Sequence, residues 1–170
     1  MPQVISNRTI DDESGDSVSG ALPTYIPASF WRLGPTCPDC AVRPDQSLAF
    51  NRTWHDNSQF PGNQPVSLSL DFVGTAIYVF CIVPPIETNV ISRYSLTFSL
   101  DDGASQGTFL YSPTSNTDFL YNVSVVSLPS LANKAHKLLV STDDEVNGSI
   151  FLFDYAVYTC VQVTFSLFAI

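Results

Sequence analysis

Trp54, His55 and Asp56 set an aromatic face, an imidazole and a carboxylate side by side. Such a trio suits a sugar, because the ring stacks on C–H faces while the polar groups hydrogen-bond to hydroxyls. The same residues also suit a core tryptophan followed by a capped turn. Tyr111, with Phe119 and Tyr121 around the loop at 112–116, offers either a second aromatic platform or core packing at strand ends. Trp54, His55, Asp56 and Tyr111 are the candidate glycan contacts.

Asp11, Asp12, Glu13 and Asp16 form an acidic cluster, with Asp154 far along the chain as a further hard oxygen donor. Ca²⁺ takes about 6–8 oxygens. The spacing matches no calcium-loop pattern, so a solvated acidic loop accounts for the cluster equally. The expectation is structural calcium on Asp11, Asp12 and Asp154, and no other cofactor.

Cys37 and Cys40 form a CxxC motif. Zinc would need a second pair nearby, and thioredoxin-like redox work would need the motif to open a helix. A local disulfide is the remaining expectation. Cys81 and Cys160 either pair or stay buried thiols.

His55 and His136 are the two histidines, and no Gly-x-Ser-x-Gly elbow occurs. His136 reads as a satisfied structural histidine at a strand entry. No catalytic residue is expected. The alternative is a glycoside hydrolase pairing distant carboxylates such as Asp56 and Asp118, about 5–10 Å apart.

The elements that must position these groups are strands. Val66, Leu68, Leu70 and Phe72 alternate with polar residues, as do Tyr94, Leu96, Phe98 and Leu100. Residues 75–83 form a continuous β-branched and aromatic run, as a strand covered on both faces does. Asp101-Asp102-Gly103 suits a tight turn with positive φ. Further strands are expected at 108–111, 119–128, 136–141 and 149–159, with one short helical turn within 128–135. Residues before about 64 read as one entering strand at 4–5 and then long loops. Seven or eight strands with short connections predict an antiparallel two-sheet β-sandwich, in one domain over residues 1–160.

Hydrophobic residues make up 45% of the 170, and 7 Lys+Arg against 16 Asp+Glu give a net charge of −9. That charge repels a phosphate backbone and excludes nucleic acid as a partner. Four sequons, at Asn7, Asn51, Asn122 and Asn147, point to N-glycosylation and to secretion or the extracellular face of the plasma membrane. The N-terminus shows no signal-peptide pattern and no run is long enough to span a membrane. Residues 161–170 form a short apolar tail, expected to be a gene-model artefact like the missing signal.

Three segments carry a resemblance: Thr9-Ile10-Asp11-Asp12 with Gly15-Asp16, Ala-Phe-Asn-Arg-Thr-Trp-His-Asp at 49–56, and Leu-Phe-Asp-Tyr-Ala-Val-Tyr-Thr at 152–159. Together they resemble a group of basidiomycete ectodomains with a galactose-binding-like jelly-roll fold. Those proteins are often tethered to a transmembrane helix through a Ser/Thr-rich linker. Residues 49–54 are also similar, more loosely, to a turn-to-tryptophan region of discoidin-type lectin domains, with Asn51-Arg52 in place of Asp-Gly. Phe153-Asp154-Tyr155 is similar to the closing strand of calcium-stabilised carbohydrate-binding modules. The resemblance implies a non-catalytic, lectin-like module for glycans or cell-wall polysaccharide, with full-length protein anchored to a membrane. A structural or adhesive ectodomain without a small ligand is the alternative.

Overall fold

The computed structural model describes residues 3–87 and 89–163. In chain order the strands are β1 (Gln3–Asp11), β2 (Gly15–Asp16), β3 (Thr24–Ile26), β4 (Arg32–Leu33), β5 (His55–Gln59), β6 (Ser67–Gly74), β7 (Ala76–Val83), β8 (Tyr94–Leu100), β9 (Ser105–Tyr111), β10 (Leu120–Leu128), β11 (Lys134–Thr142) and β12 (Ser149–Val163). One sheet runs β10-β7-β12-β1-β2, with β5 also paired to β12 and β4 to β5. The other runs β3-β6-β11-β8-β9. Each pairing is antiparallel, giving the all-β two-sheet sandwich that the alternation predicts. No helix among the described residues is long and apolar enough to cross a membrane.

The core follows from the residue patterns. Leu68, Leu70 and Phe72 of β6 and Ile77, Val79 and Cys81 of β7, from the two sheets, are all buried in one core. In β12 the consecutive Ile150, Phe151, Leu152 and Phe153 are wholly buried, because the strand lies inside its sheet and is covered on both faces. First and last strands are neighbours: β1 pairs with β12 from Gln3↔Val163 to Asp11↔Tyr155. Of the expected tail, residues 161–163 therefore continue β12, and 164–170 lie outside the described residues. Asp101 and Asp102 both take φ of 55°, the left-handed turn conformation their sequence suggests.

Three expectations need correction. Residues 12–64 hold β2 to β5 as well as loops, so the described residues contain more than seven or eight strands. His55-Asp56-Asn57-Ser58-Gln59 carries no apolar alternation; it is a strand because β12 pairs with it from Ser149↔Gln59 to Phe153↔His55. The linker after β10 is not helical, and Leu131 N donates to Thr75 O there. The short 3-10 turns lie instead at Ala28–Phe30, Gly34–Thr36 and Phe50–Arg52.

Candidate functional site

β5 carries the residues of interest, and the strand distributes them to different places. Trp54, just before it, is 2% exposed and has no ring face open to a ligand. Gly34 lies under its indole: a Cβ there would sit 2.0 Å from Trp54 Nε1, and Gly34 N donates to Trp54 O at 2.8 Å. Trp54 thus anchors the 3-10 turn at Gly34–Thr36. His55 lies beside β1, its Nδ1 2.8 Å from Asp12 Oδ2 and its ring stacked on Tyr25 at 4.1 Å. Tyr111 is on β9 in the other sheet, with its hydroxyl donating to Asn116 Oδ1 at 3.3 Å. The four candidate glycan contacts are not brought together: His55 and Asp56 line separate cavities, and Tyr111 lines neither.

The acidic residues converge, but their oxygens are mostly engaged. Asp11 Oδ1 accepts from Glu13 N, Ser14 N and Ser14 Oγ, and its Oδ2 accepts from Asn51 Nδ2 at 3.0 Å. Asp12 Oδ1 accepts the Thr53 hydroxyl at 2.5 Å. Burial pushes the Asp12 carboxyl up, and His55 and Thr53 pull it back. Asp154 Oδ1 accepts from Phe50 N at 2.9 Å, while its Oδ2 is buried without a partner. Burial, with Asp12 and Asp11 nearby, pushes Asp154 up to about 7. Among the described residues no three His, Cys, Asp or Glu side chains are grouped to hold a metal ion. As arranged, this donor set does not fit a cation that needs about 6–8 oxygens.

Asp56 belongs to a different place. β4 pairs with β5 only at Arg32↔Asp56 and Leu33↔His55, so the outer edge of β5 from Asn57 onward is free of a strand. A cleft of about 340 Å³ opens there. Its rim carries Phe30 and Phe60, 53% and 58% exposed, and one wall is the turn holding Cys37, Asp39 and Cys40. Cys37 and Cys40 are disulfide-bonded, as their spacing predicts, and Arg43 clamps the turn by donating to the Cys37 and Pro38 carbonyls.

The opposite wall is polar and buried. Asp56, Asn57 and Gln59 are 6%, 3% and 1% exposed, and each has a buried side-chain oxygen without a partner: Oδ2, Oδ1 and Oε1. Burial pushes the Asp56 carboxyl up to about 7, against the pull of Arg43. Such groups are costly to bury unpaired, about 1–3 kcal/mol each, so three along one strand require an explanation. Of the cleft's residues the sequence singled out Asp56 and the cysteines. Phe30, Asn57, Gln59 and Phe60 were missed; the one signal the last three offered is a pair of side-chain amides two residues apart, ending at an aromatic before Pro61-Gly62.

A larger groove, about 590 Å³, lies between β6 and β11 on one side and β2 and β12 on the other, with Phe72, His136 and Tyr158 in its lining. None of its buried side-chain polar atoms lacks a partner. His136 Nδ1 is 2.9 Å from Asp101 Oδ2 and Nε2 is 2.7 Å from Ala132 O, so both ring nitrogens have a partner. His136 is the satisfied structural histidine expected. Cys81 and Cys160 are separate buried thiols.

No protein-family model matches the chain and no curated protein matches it by sequence. Among solved structures it is similar to TmCBM61 in complex with β-1,4-galactotriose, with a TM-score of 0.46, 9% identity and 93% of this chain covering 88% of that one. It is similar to a family 35 carbohydrate-binding module from Clostridium thermocellum, with a TM-score of 0.43, 12% identity and 81% of this chain covering 97% of that one. It is also similar to the Agl-KA catalytic domain, with a TM-score of 0.50 and 11% identity; there all of this chain spans 30% of the other. At such identities the likeness is at most one of fold, and the chain is an all-β sandwich of two antiparallel sheets.

Proposed function

We propose that the cleft beside β5 binds a saccharide, and that the protein is a non-catalytic carbohydrate-binding module acting outside the cell. The observation that carries this is the pairing of two exposed rings, Phe30 and Phe60, with a wall holding three unpartnered buried oxygens. A sugar presents both complements on one small molecule, C–H faces for the rings and hydroxyls for the oxygens. A purely structural ectodomain has no use for either. The extracellular setting rests on the disulfide and on the exposure of all four sequon asparagines, Asn7, Asn51, Asn122 and Asn147.

A panel of neutral and amine-bearing oligosaccharides titrated calorimetrically into the deglycosylated protein tests this. Binding is expected, and Phe60→Ala should weaken it about tenfold, the equivalent of about 1.4 kcal/mol of lost ring contact. No binding at millimolar sugar, or full binding by the variant, would overturn the proposal. The hydrolase alternative needs two converging carboxylates, and the second one lining the cleft is Asp39 on the exposed turn. Oligosaccharides incubated with the protein should be recovered unshortened.

A further inference from the structure

Three of the four sequon asparagines, far apart in the chain, meet on one face of the molecule. Directly opposed residues on neighbouring antiparallel strands point to the same side of a sheet. Asn7↔Thr159, Thr9↔Val157 and Asp11↔Tyr155 join β1 to β12, and Tyr155↔Phe80 and Val157↔Tyr78 join β12 to β7, so these residues share one side. Their chain neighbours Ile10, Ala156, Tyr158, Ile77 and Val79 are buried in the core, which makes the shared side the outer one. Asn7 Oδ1 accepts the Thr159 hydroxyl at 2.9 Å and Asn122 Oδ1 accepts the Tyr155 hydroxyl at 3.0 Å. Asn51 Nδ2 donates to Asp11 Oδ2 at 3.0 Å. Asn147 stands apart, in the turn before β12.

The open face of an antiparallel sheet is ordinarily polar. This one carries a row of rings: Tyr155 stacks on Phe80 at 4.8 Å and on Phe50 at 4.5 Å, with Tyr78 and Val157 on the same side, all half-buried. Asn122 meets the row at the Tyr155 hydroxyl, and Asn51 follows Phe50 in the chain. Asn7 lies opposite Thr159, about 13 Å along β12 from Tyr155. An apolar face left open to water calls for a cover. Sugars attached at its border supply one, because their C–H groups pack on aromatic rings.

We infer that N-linked glycans on Asn7, Asn51 and Asn122 clothe this face, the first sugar on Asn122 packing against the rings and stabilising the fold. The inference rests on the extracellular reading. The transfer joins Nδ2 to C1 of an oligosaccharide carried on a lipid pyrophosphate: the C1–O bond breaks, Nδ2 gives up one proton, and the lipid pyrophosphate leaves. The side-chain carbonyl is untouched, so the bonds from Thr159 and Tyr155 to Oδ1 survive the modification. Nδ2 keeps one N–H, the number that the bond from Asn51 to Asp11 needs.

The test compares the full chain made through a eukaryotic secretory route with the same chain made without glycans in a bacterial periplasm. Ser124→Ala removes the Asn122 sequon and leaves Asn122 in place. The bond from the Ser124 hydroxyl to Val126 O is lost equally in both preparations, so the difference between them reads the glycan alone. Glycopeptide mass spectrometry is expected to find Asn7, Asn51 and Asn122 occupied in the secreted protein. Ser124→Ala should lower Tm by about 2–4 °C more in the secreted protein than in the glycan-free one. Trimming every glycan to its first N-acetylglucosamine should preserve that difference, and Phe80→Ala should abolish it. A folded, secreted chain with any of the three asparagines bare overturns the inference and leaves the extracellular reading standing, as do equal falls in the two preparations. A difference lost on trimming, or undiminished in a folded Phe80→Ala variant, also overturns it; if that variant does not fold, the trimming result decides. A chain that folds in the periplasm but is never secreted folded removes the extracellular reading, and the inference with it.

Discussion

Asp56 and Asp154 are carboxyls that the sandwich has taken out of water without fully pairing, and both are pushed up to about 7. A carboxyl whose folded value lies above its unfolded value of about 3.9 holds its proton more tightly when folded. Its contribution is therefore most favourable at acid pH and is lost as pH rises from about 4 to about 7, by on the order of 2–4 kcal/mol per group. Asp101 has the opposite sign: Lys134, Lys137 N and His136 hold it well below the usual carboxylate range, so its contribution is lost only on strong acidification. Thermal unfolding of Asp56→Asn and wild type from pH 5 to pH 8 should show the variant gaining relative stability as pH rises. Parallel curves would mean that Asp56 ionises normally. Asp56 was legible in the sequence as a polar residue beside an aromatic, but its partners were not. Asn57 and Gln59 matter because β4 stops at Leu33 and leaves them at an open edge, and no local pattern states where a neighbouring strand ends.

The strands β6 and β8 could be read from the alternation of apolar and polar residues in the sequence. β5 could not, because its hydrogen bonds are made by a segment about a hundred residues away and its side chains serve polar sites on both faces. The same separation hid the support of the cleft: Trp54 holds the Gly34–Thr36 turn from below, and the disulfide holds the next residues. Gly34→Ala should cost about 2–4 kcal/mol, because a methyl group cannot share the space of the indole ring. Thermal unfolding checks this, and an unchanged midpoint would show that the indole does not pack as described. Breaking the disulfide with Cys37→Ser and Cys40→Ser closes a much smaller ledger, since the loop is short: about 2 kcal/mol, or a fall of about 4–8 °C in Tm. Saccharide affinity should fall with it, as the same turn forms a wall of the cleft.

Over the molecule, the sheet order brings the two ends of the chain together, with β1 against β12, and gathers Asp11, Asp12 and Asp154 at one junction. That convergence was expected from the likeness of sandwiches in general, whereas the hydrogen bonds that occupy Asp11 and Asp12 depend on Ser14, Asn51 and Thr53 and appear only in three dimensions. Two of the cavities differ in kind: no buried side-chain polar atom in the larger groove's lining lacks a partner, whereas residues lining the smaller cleft hold three buried oxygens without one. Mapping of backbone amide shifts during titration with an oligosaccharide that binds in the calorimetric panel discriminates between them across the whole chain in one measurement. Our account predicts the largest shifts at Phe30, Cys40, Asn57, Gln59 and Phe60. Shifts confined to Phe72, Val73, His136 and Tyr158 would place the ligand in the other groove and contradict it.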